Sequence, residues 1–142
     1  MSDDPMAGSG GEAGQEEVSD TGLSAANSRF YRALESADLE LMTALWSHGP
    51  ETTCAHPGRP PLIGWTAIEA SWRAIFAAGG NPQIILTEER VVRRGSLGWV
   101  TAAENMISDG HTGAATAINL FEHDGRHWRM VAHHAAPVLS VM

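Results

Sequence analysis

Four long alternating segments, joined by short glycine-containing pairs, constrain this chain more than any other feature. Residues 83–94, 97–107, 112–122 and 126–136 each read as strands, and Gly95-Ser96, Asp109-Gly110 and Asp124-Gly125 separate them. Glycine supplies the positive φ that tight hairpins need, so the C-terminal half is predicted to be an antiparallel meander. In the third strand one face carries Gly113, Ala115, Ala117, Asn119 and Phe121; the other carries Thr112, Ala114, Thr116, Ile118 and Leu120. A row of tiny side chains ending in an amide leaves room for helix packing or for a ligand. In the fourth, strict alternation groups Trp128, Met130, Ala132 and His134 against His127, Arg129, Val131 and His133. At least one of the adjacent histidines should therefore point inward.

The first half follows a different period. Phe30, Leu34 and Ala37 recur at helical spacing, with Ser24 or Asn27 available as N-cap. Ser36-Ala37-Asp38 interrupts that helix, and Asp38 can cap a second one with the stripe Leu39, Met42, Leu45 and Trp46. Gly49-Pro50 stops it. Residues 51–56 then read as a strand, with Thr52, Cys54 and His56 on one face. After Gly64, Thr66-Ala67-Ile68-Glu69 has the capping-box pattern, opening a helix with Ile68, Trp72, Ile75 and Phe76 on one side. Helices first and a meander afterwards imply an α+β domain, its helices packed on one face of a curved sheet.

A chain of 142 residues is expected to form about one domain with a real core. Six of its seventeen acids fall in residues 1–24, which hold no base. That stretch is almost without apolar side chains and cannot offset its ordering entropy. It is read as a disordered acidic tail over residues 1–23, ahead of a domain over 24–142. The remainder, with eleven acids against nine arginines, is nearly neutral. No basic patch interleaved with aromatics points to nucleic acid, and no apolar run reaches membrane-spanning length. The N-terminus lacks a secretory signature and the single Cys54 cannot form an internal disulfide, so a cytoplasmic location is expected.

The candidate chemistry centres on residues 46–65. Proline fixes φ and drives its predecessor into the extended region, so His56 is expected at the end of a strand where His56-Pro57-Gly58 turns. An imidazole, with an unperturbed pKa of about 6.5, is thereby held on a stiff corner, poised for proton transfer. Trp46, Trp72 and Trp99 are candidate pocket walls or ordinary core. Glu104, between apolar neighbours, is either a pocket acid or the partner of an arginine.

The segments Phe30-Tyr31-Arg32-Ala33-Leu34, Ala37-Asp38-Leu39, Ala44-Leu45-Trp46 and His56-Pro57-Gly58, with Gly64, Ala67 and Ile68, show a family likeness. They resemble the first half of the SnoaL-like branch of the nuclear-transport-factor-2-like and ketosteroid-isomerase-like proteins. Trp128-Arg129-Met130-Val131 leading into His133-His134 resembles its closing strand. The resemblance spans residues 25–137. It implies a cone of strongly curved antiparallel sheet closed by three helices around an apolar pocket, commonly dimeric through the outer sheet face. It also implies that His56 stands where ketosteroid isomerase has its general-base aspartate, and Asn119 where that enzyme has its protonated aspartic acid. Phe30 takes the place of its first-helix tyrosine, and Tyr31 falls on a different helical face. With the phenol absent, the acid an amide and the base an imidazole, steroid isomerisation is not what these residues argue for. A related branch closes with His-x-His-x-Ser; Ala132-His133-His134-Ala135-Ala136 keeps only the second histidine. The scaffold hosts isomerases, cyclases, hydratases, epoxide hydrolases and plain binding modules, so the likeness speaks to fold more than to reaction.

The resulting constellation has His56 as base, Asn119 as donor to a developing oxyanion and His134 as partner acid or orienting group. Phe30, Trp46, Trp72, Trp99 and Glu104 would line the pocket. Such a site suits proton abstraction next to a carbonyl, an aldol-type cyclisation or water addition on a small, apolar, carbonyl-bearing metabolite, without an organic cofactor. Two other readings stand beside it. Cys54 and His56 share a strand face, and His134 would complete a three-ligand metal site. Alternatively, the chain is a non-catalytic dimeric module that binds a small apolar molecule or only associates.

Overall fold

The computed structural model describes residues 15–139, so most of the expected acidic tail lies outside it. The part of that tail within it is tied down. The Glu16 amide donates to the Arg126 carbonyl, the Trp128 amide to Glu16 Oε1, and the Trp128 indole to the Glu17 carbonyl. Ser19 then caps helix α1, Asp20–Ser36, by accepting from the Gly22 amide. The helix therefore starts before either expected cap. A Cβ at Gly22 would collide with the Glu17 carbonyl, so this entry needs glycine.

Ala37, at φ 53°, ends α1, and Asp38 caps α2, Leu39–Leu45, by accepting from the Leu41 amide. Strands β1, Thr53–Ala55, and β2, Leu62–Ile63, flank the proline corner. There the Arg59 amide donates back to the His56 carbonyl, and Gly58 takes φ 76° as a type II turn requires. Helix α3, Trp65–Ala78, begins at Gly64 without a side-chain cap. The expected capping box does not form, because Thr66 is already inside the first turn and Glu69 pairs forward with Arg73 at 3.0 Å.

The meander is β3, Gln83–Arg94; β4, Leu97–Ser108; β5, His111–His123; and β6, Trp128–Pro137. The sheet runs β2-β1-β6-β5-β4-β3, antiparallel throughout except where β1 joins β6. This six-stranded sheet is curved and unclosed, and three helices cover its inner face as a cone. Two bulges shape it. In β3, Glu88 and Glu89 together oppose Ala102, with Glu88 at φ 56°. In β6, Leu120 pairs with Ala132 and Phe121 with Met130, leaving Val131 extra. An extra residue reverses the facing pattern beyond it. Trp128 and Met130 point inward before the bulge, His133 and Ala135 after it, and His134 turns to solvent.

Phe30, Trp46, Trp72, Phe121, Trp128 and Met130 fill the core between helices and sheet. Burying each such side chain contributes roughly 1.5–3 kcal/mol relative to leaving it in water. No described helix is long and apolar enough to cross a membrane.

Candidate functional site

The inner face of the sheet places Asn119 between Val100 and His133, with Cys54 beside His133 in parallel register. The next inner row is Ala102, Ala117 and Ala135, and beyond it stand Glu104 and Ala115. These alanines keep the ground low, so Tyr31 from α1 can span it. Its hydroxyl donates to Glu104 Oε2 at 2.6 Å and accepts from Asn119 Nδ2 at 3.0 Å. Asn119 Nδ2 also donates to Asn27 Oδ1 at 2.8 Å, and Asn119 Oδ1 lies 2.6 Å from His133 Nδ1. Asn27 Nδ2 in turn donates to Glu89 Oε2 at 3.0 Å.

Both amide hydrogens of Asn119 are thus spent inside the protein, and the residue is 1% exposed. The expectation that Asn119 donates to a substrate oxygen is corrected: it is the hub of an internal network. His133 replaces His134 as the inward imidazole, because the bulge at Val131 changes the phase of the strand. Burial, with the nearby His56 and His134, pushes the His133 pKa down to about 3, so the ring is neutral near pH 7. Its Nε2 has no hydrogen-bond partner among the described residues.

His56 stands half-buried at the corner after β1. Ser71 Oγ donates its one hydrogen to the Ile68 carbonyl at 2.7 Å, so it accepts from His56 Nε2–H at 2.9 Å. The lone pair of His56 therefore sits on Nδ1. Burial, and secondarily the Arg59 charge, lower its pKa, which keeps it a free base. The ring meets Trp72 edge-on at 4.8 Å between centroids. The Trp72 indole N–H is buried with no partner among the described residues. Burial raises the Glu104 pKa against the opposing Tyr31 bond, and raises that of Tyr31 well above the phenol range.

The remaining expected site residues divide. Phe30 packs at 4.8 Å from His133, 5.8 Å from Trp72 and 6.5 Å from Trp46, so Phe30 and Trp72 border the site. Trp46 is core, its indole directed at Met42 Sδ. Trp99 is not a pocket wall: it lies on the outer face, in register with Val92 and Leu120. The metal reading fails on geometry. His134 is on the opposite face from Cys54 and His56, and burial raises the Cys54 thiol to about 12. No group of three suitable ligands occurs among the described residues.

Tyr31, Ser71, Asn27 and Glu89 were not legible as site residues, and His133 was legible only as one of an adjacent pair of which at least one points inward. Asn27 and Tyr31 did carry a signal, since positions i and i+4 share a helix face. The phase of His133 depends on a bulge that alternation cannot reveal.

A family model described as the SnoaL-like domain matches residues 23–140. The chain is 28% identical over 116 residues to the F-box protein SKIP8 of Arabidopsis thaliana, covering 80% of this chain and 48% of that protein. It thus spans about half the length of the curated relative it matches. A candidate dehydratase of the NTF2-like family from Streptomyces avermitilis is 32% identical with TM-score 0.78, covering 83% of this chain and 94% of that one. A candidate calcium/calmodulin-dependent protein kinase type II association domain from Thiobacillus denitrificans is 33% identical with TM-score 0.72, covering 82% and 94%. An NTF2-like protein from Pseudomonas putida, 14% identical with TM-score 0.77 over 90% and 92% of the two chains, shares the fold. Inner-face residues on a curved sheet under three helices, and a family match across nearly all of the described chain, lead to one assignment: the protein belongs to the SnoaL-like family of NTF2-like proteins.

Proposed function

We propose that the cone is a small-molecule site for acid/base chemistry, with His56 as the base on a small, apolar, carbonyl-bearing metabolite. One observation carries this reading. Two imidazoles, His56 tied at Nε2 to Ser71 with the weak Cys54 thiol 4.0 Å from its Nδ1, and His133 tied at Nδ1 to Asn119, share a core with a buried carboxyl and an unpartnered indole N–H. Burying so many polar groups costs stability that an aliphatic core would not forfeit, and perturbed titratable groups concentrate at functional sites. His56 Nδ1 takes the proton from the carbon next to the carbonyl. The Trp72 N–H donates to the carbonyl oxygen as charge develops there. Glu104, biased by burial toward its neutral acid, donates to a leaving hydroxyl on the next carbon. The C–O bond breaks, a C=C bond forms, and water leaves. That sequence is a dehydration, in keeping with the name of the Streptomyces avermitilis relative.

Loss of α-protons to deuterium can be followed by NMR for a panel of small neutral ketones and β-hydroxyketones. Wild-type protein should exchange at least one of them above background, and His56→Ala should not. Exchange by neither protein would remove proton abstraction and leave a binding module.

Association through the outer sheet face accompanies this reading. Ile85, Leu97, Ile107 and Ile118 are exposed there, and Ile118 lines a concavity of about 770 Å³ together with Thr101, Thr116 and His134. Exposed apolar groups in such number favour a partner surface, and the Thiobacillus denitrificans relative carries an association-domain name. A homodimer in the cytoplasm, where the thiol of Cys54 stays reduced, is the arrangement we infer.

A further inference from the structure

The hydrogen-bond chain through the cone has a direction, and a residue at its far end decides it. Glu104 and Glu89 stand at its two ends, joined through Tyr31, Asn119 and Asn27, with His133 branching from Asn119. In this arrangement Tyr31, Asn119 and Asn27 donate outward along the chain toward the two carboxyl groups, and His133 Nδ1–H donates to Asn119 Oδ1. A single proton on Glu104 would allow the Glu104 end to reverse: Glu104 would donate to Tyr31, Tyr31 to Asn119, and a flipped Asn119 to His133 Nδ1. Nothing of that kind is open at the Glu89 end. Flipping Asn119 forces Asn27 to flip too, which would turn Asn27 Oδ1 onto a carboxylate that can only accept. Glu89 is an exposed side chain that reaches Asn27 because the bulge at Glu88 adds a residue and turns the strand.

We propose that Glu89 is a positioning residue that locks His133 as its Nδ1–H tautomer and leaves the lone pair on Nε2. This rests on the reading of the cone as the functional site and narrows what the site accepts. A fixed lone pair at His133 Nε2 and an unpartnered donor at Trp72 select a neutral molecule that brings both a hydrogen-bond donor and an acceptor, such as a hydroxyketone. A simple ketone satisfies only the donor.

The test is the imidazole ¹⁵N spectrum of histidine-labelled protein near pH 7, with His133→Gln used to assign the signal. Wild type should show His133 protonated at Nδ1 and bare at Nε2. Glu89→Gln, whose amide can donate to Asn27, should admit the reversed chain in molecules with Glu104 protonated and raise the Nε2–H population several-fold. Glu89→Ala, which leaves Asn27 to water, should act in the same direction. Melting temperatures close to wild type would show that both variants fold. A wild-type Nε2–H tautomer, or an unchanged His133 spectrum in both folded variants, overturns the proposal. The readout needs no turnover, so it stands apart from the deuterium-exchange test of the reaction itself.

Discussion

The two faces of strands β4, β5 and β6 treat polar atoms in opposite ways. On the inner face Glu104, Asn119 and His133 are almost wholly buried; the first two are joined to helix α1 by hydrogen bonds of 2.6–3.0 Å, and His133 is joined to Asn119 at 2.6 Å. On the outer face Ile118 and Ile107 stand 43% and 41% exposed. An antiparallel sheet with one wet face normally puts its apolar side chains in and its polar ones out. Here that order is partly inverted along the same strands. The inversion teaches that neither face is arranged for stability alone: burying polar groups inside and leaving apolar ones in water outside both forfeit stability.

Substitutions can break this contrast in descending order of effect. Phe30→Ala, which removes the ring supporting Tyr31, Trp72 and His133, should cost about 3–5 kcal/mol in denaturant unfolding. Asn119→Leu orphans bonding groups on Tyr31, Asn27 and His133 together and should cost about 2–4 kcal/mol, while the outer-face change Ile118→Thr should stay within about 1 kcal/mol. Equal costs for the last two would erase the distinction between the faces.

Acid should sharpen the contrast further. The unfolded chain binds a proton at His133 below its ordinary value of 6.5, and the folded chain refuses it until about pH 3. The stability contributed by His133 is therefore whole above pH 6.5 and lost as the pH falls toward 3, by up to about 1.4 kcal/mol per pH unit. Burial also lowers the folded pKa of His56, so its contribution has the same sign. Glu104 has the opposite sign: the folded carboxyl holds its proton above the ordinary 4.5, so stability falls as the pH rises from there toward its raised folded value. Unfolding curves of His133→Gln from pH 7 to 4 should be flatter than those of wild type. Smallest in stability is Ile118→Asp, which should leave the melting temperature nearly unchanged; under the proposed association through this face, sedimentation should give a dimer for wild type and a monomer for the variant.

Most of the fold was legible because it rests on local signals. Glycine pairs set the hairpins, Asp38 capped α2 as read, and the run of alanines at 115 and 117 does face inward. What failed depended on distant partners. Ser19 caps α1 only because Glu16 and Glu17 are anchored on Trp128, more than a hundred residues away. His134, taken as the site imidazole, and Trp99 were misplaced by strand phase, which a bulge or a neighbouring strand decides and alternation within one segment does not. Asn119 was found as an inward amide, yet its role depended on Asn27 and Tyr31, whose reach across the alanine floor becomes visible only in three dimensions.

The account depends most on His56 and His133 being neutral bases inside the cone. A ¹H–¹³C NMR titration of the histidine ring signals from pH 8 to 4 tests this directly. His133 should show no midpoint in that range, and His56 should titrate below 6.5. Midpoints for both at the value of an imidazole in water would contradict the buried acid/base site and leave only the outer-face contact standing.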